Sequence, residues 1–382
     1  MKRREFIGQS LTLLCASSVS QFTHAFNNYS KDSAVSKTPY VVWAEGTVIC
    51  RKNLNTGLVQ KQYIGAACHG ILPVPGKPHQ FFTIEKWRRR LVRMDFENPA
   101  NIQKYIAHQS FRFYGHAAIL PDQKHIIVLT VNSFSKNAHL MTFEIDTLKL
   151  VDDYIIGVGG GHEMSLLPDN RFLVVAMTGW SPNLNYDNKP TNNYTRIGNS
   201  NLTFVDLISR RVVEVQELKD DRISLAHLKV LDDGRIYAIS DIMHDHFNRL
   251  GAGGVHFTKM GSRIQNLQIP TEDFLQLKGE FLSVDVNINS NIVAATNPYG
   301  KKIAFFDAKN NNSFIGLANC SANGLCWNKD GTILYTYENN RHDGYDPILQ
   351  KKEIVSPHDS FSIVQVRDRA EQSSSHMYYY ER

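Results

Sequence analysis

The sequence predicts an all-β fold: a seven-bladed β-propeller of four-stranded antiparallel blades, with six blades as the alternative count. Three observations predict it. Short runs rich in β-branched and aromatic residues follow one another, with polar turns between them. The runs group in fours, and the groups recur at roughly 40–50 residues, the period of propeller blades. Four groups open on a histidine, an apolar run and a turn, as in FYGHAAILPD, GGGHEMSLLPDN and SLAHLKVLDDG. A two-sheet sandwich would not need so regular a period.

Residues 1–25 have a basic start, an apolar middle and a small-residue end, the layout of a secretory signal peptide. The apolar run is too short to span a bilayer. Arg3-Arg4-Glu5-Phe6-Ile7 is similar to the twin-arginine motif, which implies export of a folded protein to the periplasm. Cleavage fits after Ala25. A lipid anchor at Cys15 is the alternative, and the bulky Leu14 before it argues against that. Residues 26–38 form a polar linker, 39–368 the propeller, and 369–382 a tail or edge strand.

The blades follow in order. YVVWAE, GTVICRKN and LVQKQYIG make a unit without its first strand, so the two termini are expected to lie close together and share a blade. HGILPVPG, HQFFTIE, RLVRMDFEN and NIQKYIA start the next at His69. HAAIL, HIIVLTV, HLMTFEID and KLVDDYIIG start at His116, and HEMSLLPDN, RFLVVAMT, NLTFVDLIS and RRVVEVQEL at His162. HLKVLDDG, RIYAISD, GGVHFTKM and SRIQNLQIP start at His227. FLSVDVNIN, NIVAATN, KKIAFFDAK and SFIGLA follow from Phe281. GLCWNKDG and TILYTYEN start at Gly324, with DSFSIVQV as an expected third strand.

Composition narrows the function. Hydrophobic content of 42% and aromatic content of 10% exclude a disordered chain. A net charge of +5, part of it in the first four residues, gives no ground for nucleic-acid binding. The basic run KWRRRLVR (Lys86–Arg93) reads as an exposed strand and its turn. After cleavage the cysteines are Cys50, Cys68, Cys320 and Cys326. They allow three pairings, and no CxxC pair marks a redox or zinc site. Cys50 and Cys326 read equally as buried core thiols. No transmembrane segment follows the leader, and a monomer is expected.

In a meander blade the start of the first strand, the innermost, lies at one mouth of the central channel. His69, His116, His162 and His227 hold that place in four consecutive blades; residues 281–283 and Asn323 hold it in the next two. The loops between second and third strands open on the same face and include the longest insertions: Trp180–Asn201, Ile242–Gly251 and Glu338–His358. Polar groups converging on a concave site make the default binding-site hypothesis, and Tyr114, His116, His162, Glu163, His227 and Asn323 are its candidate residues. Imidazole is the commonest ligand for transition metals, so His69, His116, His162 and His227 are candidates for holding iron, copper or zinc. Tyr114 and Glu163 would support or join them. One count works against convergence. His116 and His227 lie six residues before Asp122 and Asp233, whereas His162 lies seven before Asp169. A one-residue offset turns a strand side chain to the other face unless a bulge absorbs it. Rings more than about 8 Å apart could not share one ion. A metal centre, a pocket for a non-metal ligand and purely structural histidines all remain open.

Two weaker motifs stand apart. His244 and His246 flank Asp245 in MHDHF, a weak metal pattern in what reads as a solvated loop. GVGGG (157–161) lacks the helix and Lys-Ser/Thr of a phosphate loop, and reads as a fourth-to-first-strand connection where backbone crowds the channel. There is no GxSxG elbow, no HExxH and no acid–base pair that identifies an enzyme.

FRFYGHAAILPD, GGGHEMSLLPDNRFLVVAMTG and ISLAHLKVLDDGRIYAISD resemble an exported bacterial family known as domain of unknown function 1513. Its motifs fall on His69-Gly70, Phe113–His116, Gly160–Glu163 and His227-Leu228. The resemblance covers most of the chain after residue 40 and is densest over 111–240. It implies a periplasmic propeller of the seven-bladed kind. Relatives are often encoded near imelysin-like iron-regulated proteins and di-haem oxidoreductase-like proteins, which implies a place in iron acquisition and an imelysin-like periplasmic partner. This chain departs from the pattern in its Asn-rich loop at 180–201 and its longer C-terminal segment. Three functions result: a metal-handling accessory, a protein-interaction platform, and a propeller enzyme such as a lyase or metal-dependent oxidoreductase.

Overall fold

Many strands of the fold end in turns that the sequence specifies. The computed structural model describes residues 38–184, 190–242, 252–338, 363–370 and 373–381. The leader, its twin-arginine motif, Cys15, His244 and His246 lie outside the described residues.

The first blade contains β1 (Pro39–Glu45), β2 (Val48–Asn53) and β3 (Val59–Tyr63). The second contains β4 (Cys68–Val74), β5 (Lys77–Glu85), β6 (Arg90–Asp95) and β7 (Gln103–Ile106). The third contains β8 (Phe111–Ile119), β9 (His125–Asn132), β10 (Asn137–Glu144) and β11 (Leu150–Val158). In the fourth, β12 (Gly161–Leu166) and β13 (Phe172–Met177) are followed by a hairpin of β14 (Trp180–Leu184) and β15 (Pro190–Arg196); β16 (Asn201–Asp206) and β17 (Arg211–Glu217) complete the sheet. The fifth contains β18 (Ile223–Val230), β19 (Ile236–Ile242), β20 (Val255–Thr258) and the short β21 (Gln265–Asn266), followed by one turn of helix, α1 (Thr271–Phe274). The sixth contains β22 (Ser283–Asn287), β23 (Ile292–Asn297), β24 (Lys302–Asp307) and β25 (Ser313–Asn319). Then come β26 (Ala322–Trp327), β27 (Ile333–Glu338), β28 (Ile363–Ala370) and β29 (Ser373–Glu381).

β29 pairs antiparallel with β1 and supplies the inner strand that the first unit lacks. The expected tail or edge strand is therefore the inner edge of the first blade, and Pro39–Arg382 forms one unit. The innermost strands β29, β4, β8, β12, β18, β22 and β26 neighbour one another in that order and close back on β29. Six sheets are four-stranded and antiparallel, the alternative count. The expectation of seven such blades is corrected: β26–β27–β28 has three strands, and β28 runs parallel to β27. An antiparallel partner needs only a hairpin, whereas the long connection over 339–362 lets the chain return in the same direction.

The recurring Asp of the first-to-second-strand turns has a local cause. Asp122 Oδ1 accepts from the Lys124 and His125 amides, Asp169 Oδ1 from Arg171 and Phe172, and Asp233 Oδ1 from Arg235. These Asx turns stop β8, β12 and β18 at a fixed place. The first three strands of a blade bury their side chains, while fourth strands such as β3 and β17 are largely exposed. Apolar residues pack between neighbouring blades: Phe82, Leu91, Phe113, Leu129, Met164 and Val175 share one core across the second to fourth blades. Burying one such side chain contributes about 2–3 kcal/mol. The basic run at 86–93 is not an exposed strand. Lys86–Arg89 are the turn between β5 and β6, and Arg90 and Arg93 carry the chain inward, Arg90 pairing with buried Glu85 at 2.8 Å. The four cysteines among the described residues are free thiols; Cys50, Cys320 and Cys326 are buried and Cys68 is half-buried. Among the described residues no helix is long and apolar enough to cross a membrane.

Candidate functional site

The four histidines meet. His162 and His227 have ring centres 4.5 Å apart, and His69 and His116 stand 5.0 Å apart. The remaining separations are 5.2 Å (His116–His162), 5.3 Å (His116–His227), 5.9 Å (His69–His162) and 6.2 Å (His69–His227). Every pair falls inside the limit that sharing one ion sets.

Bulges make this possible, and they resolve the one-residue offset. In β12, His162 and Glu163 stand opposite one residue, between the Gly161–Met177 and Met164–Val175 pairs. In β18, Ala226 and His227 do the same between Leu225–Ser240 and Leu228–Ala238. In β8, Tyr114, Gly115 and His116 face a single residue between Phe113–Thr130 and Ala117–Val128. In β4 the register shifts across His69, between Cys68–Glu85 and Gly70–Ile84. A bulge bends its strand and re-aims the side chain beside it. The expected strand starts are corrected accordingly. β8 and β18 begin several residues before their histidines, whereas His69 and His162 are each the second residue of their strand. β26 carries the same irregularity at Asn323, which is buried and whose carbonyl accepts from the Thr296 hydroxyl.

Close approach of the inner strands requires missing side chains at two points. Gly115 has φ +94°, and a Cβ there would strike the His69 ring. A Cβ on Gly160 would fall on the Tyr114 hydroxyl, so the glycine run at 157–161 does mark backbone crowding the channel. Tyr114 is fully buried and meets Trp87 edge-on, ring centres 4.2 Å apart.

Glu163 organises two of the imidazoles. Its Oε2 accepts from the Leu228 amide at 2.9 Å and lies 3.1 Å from His227 Nδ1. Its Oε1 lies 3.7 Å from His116 Nδ1. Burial, with the nearby Lys86 charge, pulls His227 down to about 3 against the opposing pull of Glu280. His227 is therefore neutral at ordinary pH. The nitrogen facing the carboxylate carries its proton, and Nε2 keeps its lone pair. Donor atoms of His69, His116 and His162 lie within 4.8 Å of one another, as do those of His116, Glu163 and His227.

Sequence reasoning missed several groups around the cluster. Lys86, on the β5–β6 turn, brings Nζ to 3.3 Å from His162 Nε2. A cavity of about 150 Å³ adjoins the site, lined by Glu163, His227, Lys229, Ser283, Asp285 and Met377 among others. Lys229 pairs with Asp285 at 2.8 Å, and that pairing holds its ammonium above the usual lysine range. Period-two alternation carried the signal: Lys229 follows His227, and Asp285 follows Ser283, by two residues on the same strand face.

The fold is shared with known structures. A hydrazine synthase chain of Kuenenia stuttgartiensis matches with a TM-score of 0.56 at 12% identity, over 75% of this chain and 85% of that one. The β-propeller domain of Cps50 (Swd1) from Myceliophteria thermophila matches with a TM-score of 0.50 at 14% identity, over 70% of this chain and 80% of that one. Identities this low carry the architecture and nothing about activity. No curated protein matches the chain. Residues 62–353, which take in all four histidine-bearing inner strands, match the family described as "Protein of unknown function (DUF1513)", and the chain belongs to that family.

Proposed function

We propose that this chain is an exported propeller that binds one transition-metal ion through His69, His116, His162 and His227, as an accessory in iron acquisition. The observation that carries the reading is the mutual spacing of the four rings, 4.5–6.2 Å between centres. With metal–nitrogen bonds near 2.0–2.1 Å, four imidazoles arranged tetrahedrally place their ring centres about 5 Å apart. The donor atoms of His69, His116 and His162 lie within 4.8 Å of one another, and turning the His227 ring from Glu163 toward them would complete the set. Glu163 supports the reading, because a carboxylate on the far nitrogen of a ligating histidine fixes its tautomer and raises its basicity. An all-imidazole set suits iron, copper or zinc. Iron comes first because of the gene neighbourhood of the family, and the periplasmic address rests on the twin-arginine start.

The experiment is elemental analysis of the mature chain purified from metal-replete cells, beside a His116→Ala, His162→Ala double variant. About one ion per chain is expected, lost in the variant. Substoichiometric metal, unchanged in the variant, sinks the proposal. A second reading, a docking platform for an imelysin-like periplasmic partner, is favoured by the β14–β15 hairpin, an extra two-stranded sheet between β13 and β16. Capture of such a partner, lost on shortening residues 180–201, would support it.

A further inference from the structure

The cavity beside the histidines holds a charge pair fixed in place by its neighbours. It is lined by Glu163 from β12, Lys229 from β18, Ser283 and Asp285 from β22, Leu325 from β26 and Met377 from β29, among others. The Trp327 amide donates to Asp285 Oδ2 at 3.0 Å, and the Leu325 amide donates to the Ser283 hydroxyl at 3.3 Å. Both β22 side chains are thus set from β26 before any guest arrives, which lowers the cost of binding one. Lys229 approaches from β18, its Nζ 2.8 Å from Asp285 Oδ1. That oxygen has no hydrogen-bonding partner among the described residues beyond this ion pair. An ammonium offers three donors, more than one carboxylate oxygen uses, and a hydroxyl that accepts from an amide keeps its O–H to donate. The Lys229 side chain is 42% exposed, so solutes in the channel can reach the pair.

Size and charge then decide what fits. A volume of about 150 Å³ is that of a cavity which holds a molecule of about six non-hydrogen atoms. Glu163 is already engaged with His227 and the Leu228 amide, so Lys229 and Asp285 set the local field. Their charges are opposite and almost equally distant from a guest. A simple anion gains from Lys229 and loses to Asp285, and a simple cation does the reverse. A molecule carrying both signs, laid head-to-tail along the pair, gains from both, through hydrogen bonds that charge strengthens. A free α-amino acid carries an ammonium and a carboxylate on one carbon, and the smaller ones match the volume. Leu325 and Met377 offer an apolar wall to a short side chain, the methionine adapting its shape.

We propose that this cavity binds a small free α-amino acid, its carboxylate on Lys229 and the Ser283 hydroxyl and its ammonium on Asp285. The site shares the Glu163–His227 wall with the histidine cluster, and it requires no ion there.

The test is isothermal titration calorimetry of the metal-free mature chain with L-alanine, and with propionate, ethylamine and glycerol, which keep one of its charges or neither. Alanine is expected to bind at least about tenfold more tightly than each of the three, the worth of one charge-assisted hydrogen bond. Lys229→Met should weaken alanine about tenfold or more and let ethylamine bind more tightly than alanine. Asp285→Asn, which keeps an oxygen for the Trp327 amide, should favour propionate in the same way. Circular dichroism checks that each variant folds; where one does not, the comparison of the four compounds on the wild type decides alone. No binding of alanine, or any of the other three bound as tightly, overturns the proposal. Alanine affinity within about twofold of wild type in both folded variants overturns it as well. Titrating the same chain with Co(II) separates this site from the metal reading. Alanine bound without Co(II) leaves this site standing and removes the ion; Co(II) bound without alanine does the opposite.

Discussion

Replacing Glu163 by glutamine tests whether a carboxylate behind the histidines sets their ligand strength. In the wild type Oε2 accepts from the Leu228 amide at 2.9 Å and lies 3.1 Å from His227 Nδ1, while Oε1 lies 3.7 Å from His116 Nδ1. Glutamine keeps one oxygen acceptor and removes the charge. Loss of such a carboxylate costs about 10–100-fold in metal affinity, or roughly 1.4–2.8 kcal/mol. Glu163→Ala is harsher, because the Leu228 amide and the His227 Nδ1–H lose their acceptor in a buried place. Each orphaned donor costs about 1–3 kcal/mol of folding stability. Urea unfolding and Zn(II) competition titrations read the two quantities separately. The account expects the Gln variant to fold with nearly wild-type stability and to bind metal 10–100-fold more weakly. Affinity within about twofold of wild type would refute the orienting role. Complete loss of binding in a folded Gln variant would make Glu163 itself a ligand, in the set with His116 and His227.

Two further outcomes follow from the packing. Gly160→Ala drives a Cβ into the Tyr114 hydroxyl and is expected to destabilise the fold by about 1–3 kcal/mol; Tyr114→Phe in the same chain should recover part of that loss, and additive costs in thermal unfolding would show that the contact is not the cause. His256 is buried between Ser240 and Asn266, and burial lowers it from 6.5 to about 4 against the opposing hydrogen bond that Asn266 Oδ1 accepts. The unfolded chain therefore binds this proton more readily, so the stability that neutral His256 provides is complete above about pH 6.5 and is lost as pH falls toward 4, by about 2 kcal/mol between pH 7 and pH 5. Urea unfolding at the two pH values should show His256→Gln losing less than the wild type, and equal losses would contradict the assignment.

Strand alternation and turn residues made most of the architecture legible. The blade order, the missing inner strand of the first unit and a histidine on four consecutive inner strands all follow from period-two patterning and from the recurring Asp that ends β8, β12 and β18. The convergence of the imidazoles was not legible, because counting back from the turn assumes an unbroken ladder. The extra residues at His69, His116, His162 and His227 are absorbed by bulges, whose positions depend on packing between neighbouring inner strands. Lys86 was hidden for a different reason. Four basic residues within five positions, Lys86 and Arg88–Arg90 around Trp87, look solvated, and only the anchoring of their turn to β8 brings Lys86 up to His162. The closing sheet departed from the pattern because the order of a long connection does not fix the direction in which the next strand pairs.

Anomalous diffraction from crystals of the metal-loaded chain, at the absorption edge of the bound metal, reads out whether four imidazoles share one ion. A single peak is expected at the channel mouth, about 2 Å from one nitrogen of each of His69, His116, His162 and His227. A metal-replete crystal with no peak among these rings, or with its peak on another group of residues, would contradict it.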